Sequence, residues 1–295
     1  MDLNRYLKEK RRLVEDFLGS YINSLKKQKD CPKRLSEAMG YALMAGGKRV
    51  RPVLAISSYE AAGGRSQKII AAAAAIELVH TYSLIHDDLP AMDNDDFRRN
   101  QPTTHKVFDE GTAILAGDAL LTDAFTILSN IKVPSKTVVR MIHELSCGAG
   151  PAGMVGGQTV DLMLEGKKAT KKDVLYIHTH KTGALIRASL RIGAIMADCS
   201  PVRLNALTVY GEKIGLAFQI IDDILDIIGT KEELGKSAGA DKARGKNTYP
   251  STYGLKKSQK IAEALVKDSL KALEIFNNKA EPLKEIAHYI IARQN

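Results

Sequence analysis

Two runs of aspartate hold the residues best suited to chemistry. In "SLIHDDLPAMDNDDFRR", Ser83–Arg99, five carboxylates (Asp87, Asp88, Asp93, Asp95, Asp96) fall within ten residues, behind an apolar run and ahead of Arg98 and Arg99. In "IGLAFQIIDDILDIIG", Ile214–Gly229, the polar side chains are Gln219, Asp222, Asp223 and Asp226, at i, i+3, i+4 and i+7, and every other position is apolar or Gly. A helix apolar on all remaining sides is a buried helix, so this stripe faces something inside the protein. Several ionised carboxylates buried without partners would cost many kcal/mol, more than a marginally stable fold can carry. Metals or basic side chains must answer them.

The first run behaves alike. His80, Ser83 and Asp87 stand at i, i+3 and i+7 on one helix face, and the turn containing Pro90 is expected to bring Asp93 round to the helix end. If the two acidic helix ends face each other across a cavity, six carboxylates converge. The donors are oxygens only, with no Cys and no compulsory His, which favours Mg²⁺ or Mn²⁺ over zinc. Mg²⁺ keeps several waters and takes one or two carboxylates plus substrate phosphates, which suits split carboxylate pairs. An EF-hand is excluded because a loop starting at Asp93 puts Arg98 where Gly is needed, and "GGKR" lacks the spacing of a phosphate-binding P-loop.

Cations surround these runs in the sequence. Lys48, Arg49 and Arg51 lie in a Gly-rich connection, Arg98 and Arg99 follow the first acidic run, and "HKTGALIR" supplies Lys181 at a bend near Gly183. "LGKSAGADKARGKNTYP" holds Lys236, Lys242, Arg244 and Lys246 among three glycines, the composition of a mobile lid. Metals and cations beside apolar helices describe a site for a diphosphate attached to a hydrocarbon.

The elements that must position these groups read as helical nearly throughout. "RYLKEKRRLVEDFLGSYINSL" sets Leu7, Val14, Phe17, Leu18, Tyr21, Ile22 and Leu25 on one stripe, and a second helix follows Pro32 and stops at Gly46-Gly47. "SQKIIAAAAAIELVHTYSLIHDDLP" reads as a helix capped by Ser66 and closed by Pro90, its alanines suited to close packing. Further helices are expected over 105–130, 134–148, 171–198, 201–228 and 255–293. Loops are expected at "GKRVR", "AMDNDDFRRNQPTT", "GGQTVDLMLEGKKATKK" and "IGTKEELGKSAGADKARGKNTYP". No alternating β-branched run bounded by hairpin turns appears, so a sheet is not expected. The reading is a single all-α domain over 1–295.

The bulk numbers agree. The chain of 295 residues is 44% hydrophobic and 26% charged, a soluble globular balance. Its net charge of +9 comes with no Trp and no zinc-finger, RRM or basic-zipper pattern, so no nucleic-acid partner is expected. No apolar run is expected to span a membrane, since Glu77 interrupts Ile69–Ile76, and the charged N-terminus has no signal-peptide core. Three scattered cysteines form neither a disulfide framework nor a metal pair, which points to a reducing cytoplasm.

At this point the residues resemble a family. "GGKRVRP", "HTYSLIHDDLPAMDNDDFRR", "LAGDALL", "GGQTVD", "HKTGALI", "FQIIDDILD" and "GKNTYP" stand in the order found in short-chain trans-prenyl diphosphate synthases, most like the bacterial farnesyl diphosphate synthases. Asn100 and Gln101 depart from the Gly-Lys common there. The resemblance implies a barrel of antiparallel helices around a central cavity, a homodimer, and three Mg²⁺ ions per site with substrate bound. It implies that isopentenyl diphosphate attacks an ionising allylic diphosphate. It assigns the metal to Asp87, Asp93, Asp222 and Asp226, with Asp88 and Asp223 holding waters or arginines. Lys48, Arg51, His80 and Arg99 resemble the isopentenyl diphosphate site; Arg98, Lys181, Lys236 and Lys246 resemble the grip on the allylic diphosphate. Thr182 and Gln219 would present oxygen dipoles to the developing cation. For product length, Tyr82 lies about 7.5 Å along the axis from Asp87 but about 140° round it, while Ser83 is better aligned, so geometry alone leaves both open. The resemblance associates an aromatic at Tyr82 with a fifteen-carbon product and leaves a twenty-carbon one as the alternative. Rivals are an HD-type phosphohydrolase reading His86-Asp87 as its pair, a terpene cyclase, and a non-catalytic regulatory subunit.

Overall fold

The computed structural model describes residues 1–228 and 245–292. Its helices run α1 (Leu3–Lys27), α2 (Lys33–Leu43), α3 (Val50–Ala61), α4 (Ile69–Asp87), α5 (Thr104–Val107), α6 (Glu110–Ser129), α7 (Ser135–Ala149), α8 (Met154–Leu164), α9 (Lys171–Ile177), α10 (Ala184–Met196) and α11 (Pro201–Ile228). They end with α12 (Tyr249–Tyr253), α13 (Leu255–Ala272) and α14 (Glu281–Ala292). The fold class is all-α. The chain forms two compact units, one built from Asp2–Ile56 and Ser66–Ile142, the other from Met1, Ser57–Arg65 and His143–Asn295.

In the first unit α4 packs on α6, α1 and α2. Its alanines Ala72–Ala75 are fully buried, and their lack of bulk lets those helices approach; Ile76 and Leu78 beside them are also fully buried, each contributing about 1.5–3 kcal/mol. α1 starts at Asp2, whose carboxylate accepts the Arg5 N–H, and buries Val14, Leu18, Ile22 and Leu25 on its inner stripe. In the second unit α11 packs against α10 and α13. The fully buried Tyr210 donates its hydroxyl to the Leu283 carbonyl at 2.7 Å, tying α11 to the start of α14.

Several expectations need correction. "GGQTVDLML" is helix α8 rather than loop. Its paired glycines read as a breaker, yet Gly157 is there for close approach, since a Cβ on it would lie 2.1 Å from the Lys181 nitrogen. α4 begins at Ile69, three residues after Ser66, whose hydroxyl accepts the Lys68 N–H within the entry turn. A ladder of two residues per strand, β1 (Phe97–Arg98) and β2 (Gln101–Pro102), interrupts the loop after the first acidic run. Its corner residues Arg99 and Asn100 have φ of 54° and 61°, as a type I′ turn requires. Asn accepts that left-handed corner readily, which accounts for Asn100 where Gly is common. Two helices, Ile69–Asp87 and Glu110–Ser129, do reach the length and mean hydropathy of a membrane span; one interrupting Glu77 is too little to prevent it. The first is mostly buried within the protein.

α9 and α10 are joined through a widened π turn, His178–Gly183, as one continuous helical path. Such turns concentrate at functional sites. This one carries Lys181 and Thr182.

Candidate active site

In the first unit the end of α4 and the chain after it form a compact acidic knot. The Asp93 N–H donates to the Asp87 carbonyl at 2.8 Å, and the Asp95 N–H to the Asp88 carbonyl at 3.1 Å, so the turn through Pro90 folds the second part of the motif back on the first. Asp87 and Asp93 are half-buried. Asp88 is buried and receives Arg98 Nε at 2.6 Å, and Arg98 Nη2 reaches Asp95 at 3.5 Å. Burial raises the Asp88 pKa to about 6, with Arg98 pulling against that rise. Arg98 is thus engaged by Asp88 within the fold, in the manner expected of Asp88.

The basic side of this unit is equally ordered. Arg99 lays its guanidinium against Gly47 and donates to the Gly46 carbonyl. Arg51 approaches His80 Nε2 at 3.4 Å; since arginine only donates, that ring nitrogen is the acceptor and Nδ1 carries the proton. Burial and then the positive charges of Arg51, Arg99, Arg98 and Arg49 hold the His80 pKa well below its ordinary value. Lys48 is exposed beside them in sequence. Tyr82 is buried edge-on to His86, with ring centroids 5.8 Å apart, and its pKa is pushed up to about 12 by burial and then by the charge of Asp87. The Ser83 hydroxyl donates to the His80 carbonyl one turn back at 2.8 Å. His86 Nε2 lies 3.0 Å from the Ile114 carbonyl and packs where Gly117 leaves room. It is bonded to α6, which removes the basis for reading His86-Asp87 as an HD pair.

In the second unit a hydrogen-bonded chain crosses from the π turn to α11. Thr182 Oγ1 donates to Gln219 Oε1 at 2.7 Å, and Gln219 Nε2 reaches Asp223 Oδ1 at 3.4 Å. Asp223 Oδ2 meets His178 Nε2 at 2.7 Å and accepts the Tyr249 N–H at 2.8 Å. Asp223, expected to hold water or arginine, therefore holds a histidine and a backbone amide. Lys181 Nζ donates to Asp161 Oδ2 at 2.6 Å. Asp222 is half-buried and Asp226 buried on the same helix. Asn247 bonds the Leu164 and Lys167 carbonyls and receives the Ala169 N–H, fixing the strand of chain next to Lys246. Lys236 lies outside the described residues.

These donors fit a hard divalent cation. The candidate ligands are carboxylate oxygens, and Asp88 and Asp223 orient the two acidic helix ends. Among the described residues no three His, Cys, Asp or Glu side chains are gathered into a ready-made cage.

The residues that sequence reasoning missed are Asp161, His178, Asn247 and the pair Arg49–Glu77. Asp161 was hidden by reading its helix as loop. His178 had a signal: an aspartate inside an apolar helix needs a partner, and the segment "HTHKTG" offered one.

The chain matches the family model described as polyprenyl synthetase over residues 32–289. It is 46% identical to the geranylgeranyl diphosphate synthase of Cyanophora paradoxa, the match covering 100% of this chain and 97% of that one. It is 43% identical to the farnesyl diphosphate synthase of Micrococcus luteus, covering 97% and 99%. Among solved structures it resembles an FPP/GFPP synthase from Zymomonas mobilis with a TM-score of 0.88 at 36% identity, covering 98% of this chain and 99% of that one.

Proposed function

The chain belongs to the polyprenyl synthetase family, and from that premise we propose that it is a trans-prenyltransferase joining isopentenyl diphosphate to an allylic diphosphate. The observation that carries the reading is the pair of aspartate-ended helices, each with one carboxylate bonded into the fold: Asp88 by Arg98, Asp223 by His178 and the Tyr249 N–H. We read the neighbouring Asp87 and Asp93, and Asp222 and Asp226, as the metal-side carboxylates. The full 1–295 chain is read as one synthase domain, in keeping with a family match that runs unbroken over 32–289.

Breaking the allylic C–O bond sends its electron pair to the leaving diphosphate, the double bond of isopentenyl diphosphate attacks the cationic carbon, and a proton leaves to give a chain five carbons longer. Divalent metal, Mg²⁺ in our reading with three ions per loaded site and Mn²⁺ as a substitute, supplies Lewis-acid stabilisation of that diphosphate when bound. Lys181, held at the π turn by Asp161, together with Arg98, Lys236 and Lys246, adds positive charge that counts for more as the leaving group becomes more anionic. Thr182 and Gln219, fixed by their mutual bond, hold oxygen dipoles toward the allylic carbon. Lys48, Arg51, His80 and Arg99 hold isopentenyl diphosphate, with His80 a neutral donor through Nδ1. Apolar walls exclude water that would quench the cation.

We read the aromatic Tyr82, with Ser83 beside it on α4, as setting a fifteen-carbon product; relatives named for both farnesyl and geranylgeranyl products keep a twenty-carbon one in view. A homodimer is in keeping with the adjacent exposed apolar residues Ile114 and Leu115 on α6, which a second copy would cover. Free thiols at Cys31, Cys147 and Cys199 accord with a cytoplasmic protein. No nucleic acid is required, and we read the mostly buried α4 as a core helix rather than a membrane span.

The test is incubation of radiolabelled isopentenyl diphosphate with five-, ten- and fifteen-carbon allylic primers, with and without Mg²⁺. Label should enter a longer diphosphate only with primer and metal. A hydrocarbon formed from allylic diphosphate alone, or phosphate release without transfer, would overturn the proposal.

A further inference from the structure

Arg49 lies between Lys48 and Arg51, two of the residues assigned to isopentenyl diphosphate, yet it points into the protein. Its side chain is 1% exposed, as is that of Glu77 on α4, and the two meet at 2.6 Å through Nη1 and Oε1. Nη2 donates to the Leu43 carbonyl at 2.7 Å, at the end of α2 where carbonyls lack helical partners. Nε faces Glu15 of α1 at 3.8 Å. One guanidinium thus ties three helices. The backbone it anchors turns through positive φ at Gly46, Gly47 and Arg49, of 87°, 126° and 50°, which glycine adopts freely and arginine does not. For Arg49 that conformation is unfavourable in itself and persists only where surrounding contacts enforce it. The same loop carries Lys48, leads into Arg51, and accepts Arg99 at the Gly46 carbonyl. Glu77 also acts as a negative charge on Arg99, while Arg49, Arg51, Arg98 and Arg99 together surround His80.

Resting on the function proposed above, we infer that Glu77, acting through Arg49, is the positioning residue of the isopentenyl diphosphate half-site. Its carboxylate holds the "GGKR" loop so that Lys48, Arg51 and Arg99 are preset for one diphosphate. Neither Glu77 nor Arg49 touches substrate in this scheme. The cost of assembling like charges is met in the folded apo protein, and the incoming anion finds the cations already placed.

The experiment uses the full-length protein as Glu77→Gln, and as the double variant Arg49→Met with Glu77→Leu. A buried ion pair replaced by well-packed apolar side chains often keeps or gains stability, so the double variant separates folding from positioning. In Glu77→Gln the KM for isopentenyl diphosphate should rise about tenfold or more, with the allylic KM changed less than twofold. The double variant should recover the wild-type melting temperature while its isopentenyl diphosphate KM stays raised. Binding of isopentenyl diphosphate measured by calorimetry without primer should weaken in step, a readout independent of turnover. Equal rises in both KM values, or recovery of the isopentenyl diphosphate KM along with the melting temperature, would reduce Glu77 to a structural residue and overturn the inference. Wild-type protein that neither binds nor incorporates isopentenyl diphosphate would instead refute the function beneath it.

Discussion

Replacing Asp223 by Ala should unfold the protein more readily by an amount that its neighbours set. The carboxylate is buried and lies 2.7 Å from His178 Nε2 and 2.8 Å from the Tyr249 nitrogen, with Gln219 Nε2 weaker at 3.4 Å. Each buried donor stranded by its removal, His178 and the Tyr249 N–H, costs about 1–3 kcal/mol, with the upper end applying to hydrogen bonds that a carboxylate accepts. Relief of the carboxylate's own desolvation offsets part of the two losses, so the expected total is about 3–5 kcal/mol. At about 2–4 °C per kcal/mol for a chain near this size, the melting temperature should fall by about 6–20 °C. Asp223→Asn keeps an oxygen for the Tyr249 N–H and should lose roughly half as much. Urea unfolding followed by circular dichroism, with a double-mutant cycle against His178→Ala, measures each quantity without any substrate. A loss under about 1 kcal/mol for the alanine variant, or the asparagine variant falling further than the alanine one, would show that the His178–Asp223–Tyr249 connection does not hold α11 to α12.

Other outcomes follow from single contacts. Gly157→Ala would place a methyl group 2.1 Å from the Lys181 nitrogen, so it should displace the π turn, lower kcat at least tenfold and cost about 1–3 kcal/mol in thermal denaturation. His80 has a folded pKa below the ordinary 6.5, so the unfolded chain binds the proton first and stability should fall as pH drops below 6.5, by up to about 1.4 kcal/mol per unit. His80→Gln should remove that part of the slope in urea titrations at pH 7.5, 6.5 and 5.5. Tyr82→Ala should shift products to twenty carbons or more by reversed-phase chromatography, whereas an unchanged fifteen-carbon product would remove the ring from the pocket floor.

Much of this was legible in the residues. The i, i+3, i+4, i+7 stripe from Gln219 to Asp226 and the all-round apolarity of α4 announced buried helices, because solvent exposure would have left polar residues on another face. The illegible parts depended on contacts between segments distant in sequence. Nothing local to Asp223 names His178, 45 residues away. The pair Gly156-Gly157 read as a break because sequence alone does not reveal a neighbouring backbone that leaves no room for a side chain. Glu77 looked like an interruption in an apolar run, when its charge was answered by Arg49 from a connection whose cations were all read as facing a diphosphate.

The π turn at His178–Gly183 has an outcome of its own. A regular helix cannot aim consecutive residues wherever chemistry wants them; its pitch dictates their bearing. An extra residue accommodated in one turn resets that bearing by about 100° for everything downstream. Lys181 and Thr182, which reach Asp161 and Gln219, lie within this slip in phase, so the bearing of each is set by it. Excising one residue here would restore an ordinary spiral, with better backbone hydrogen bonding and its reactive side chains aimed at the wrong places. Selection for robustness and selection for turnover therefore pull this short stretch in opposite directions.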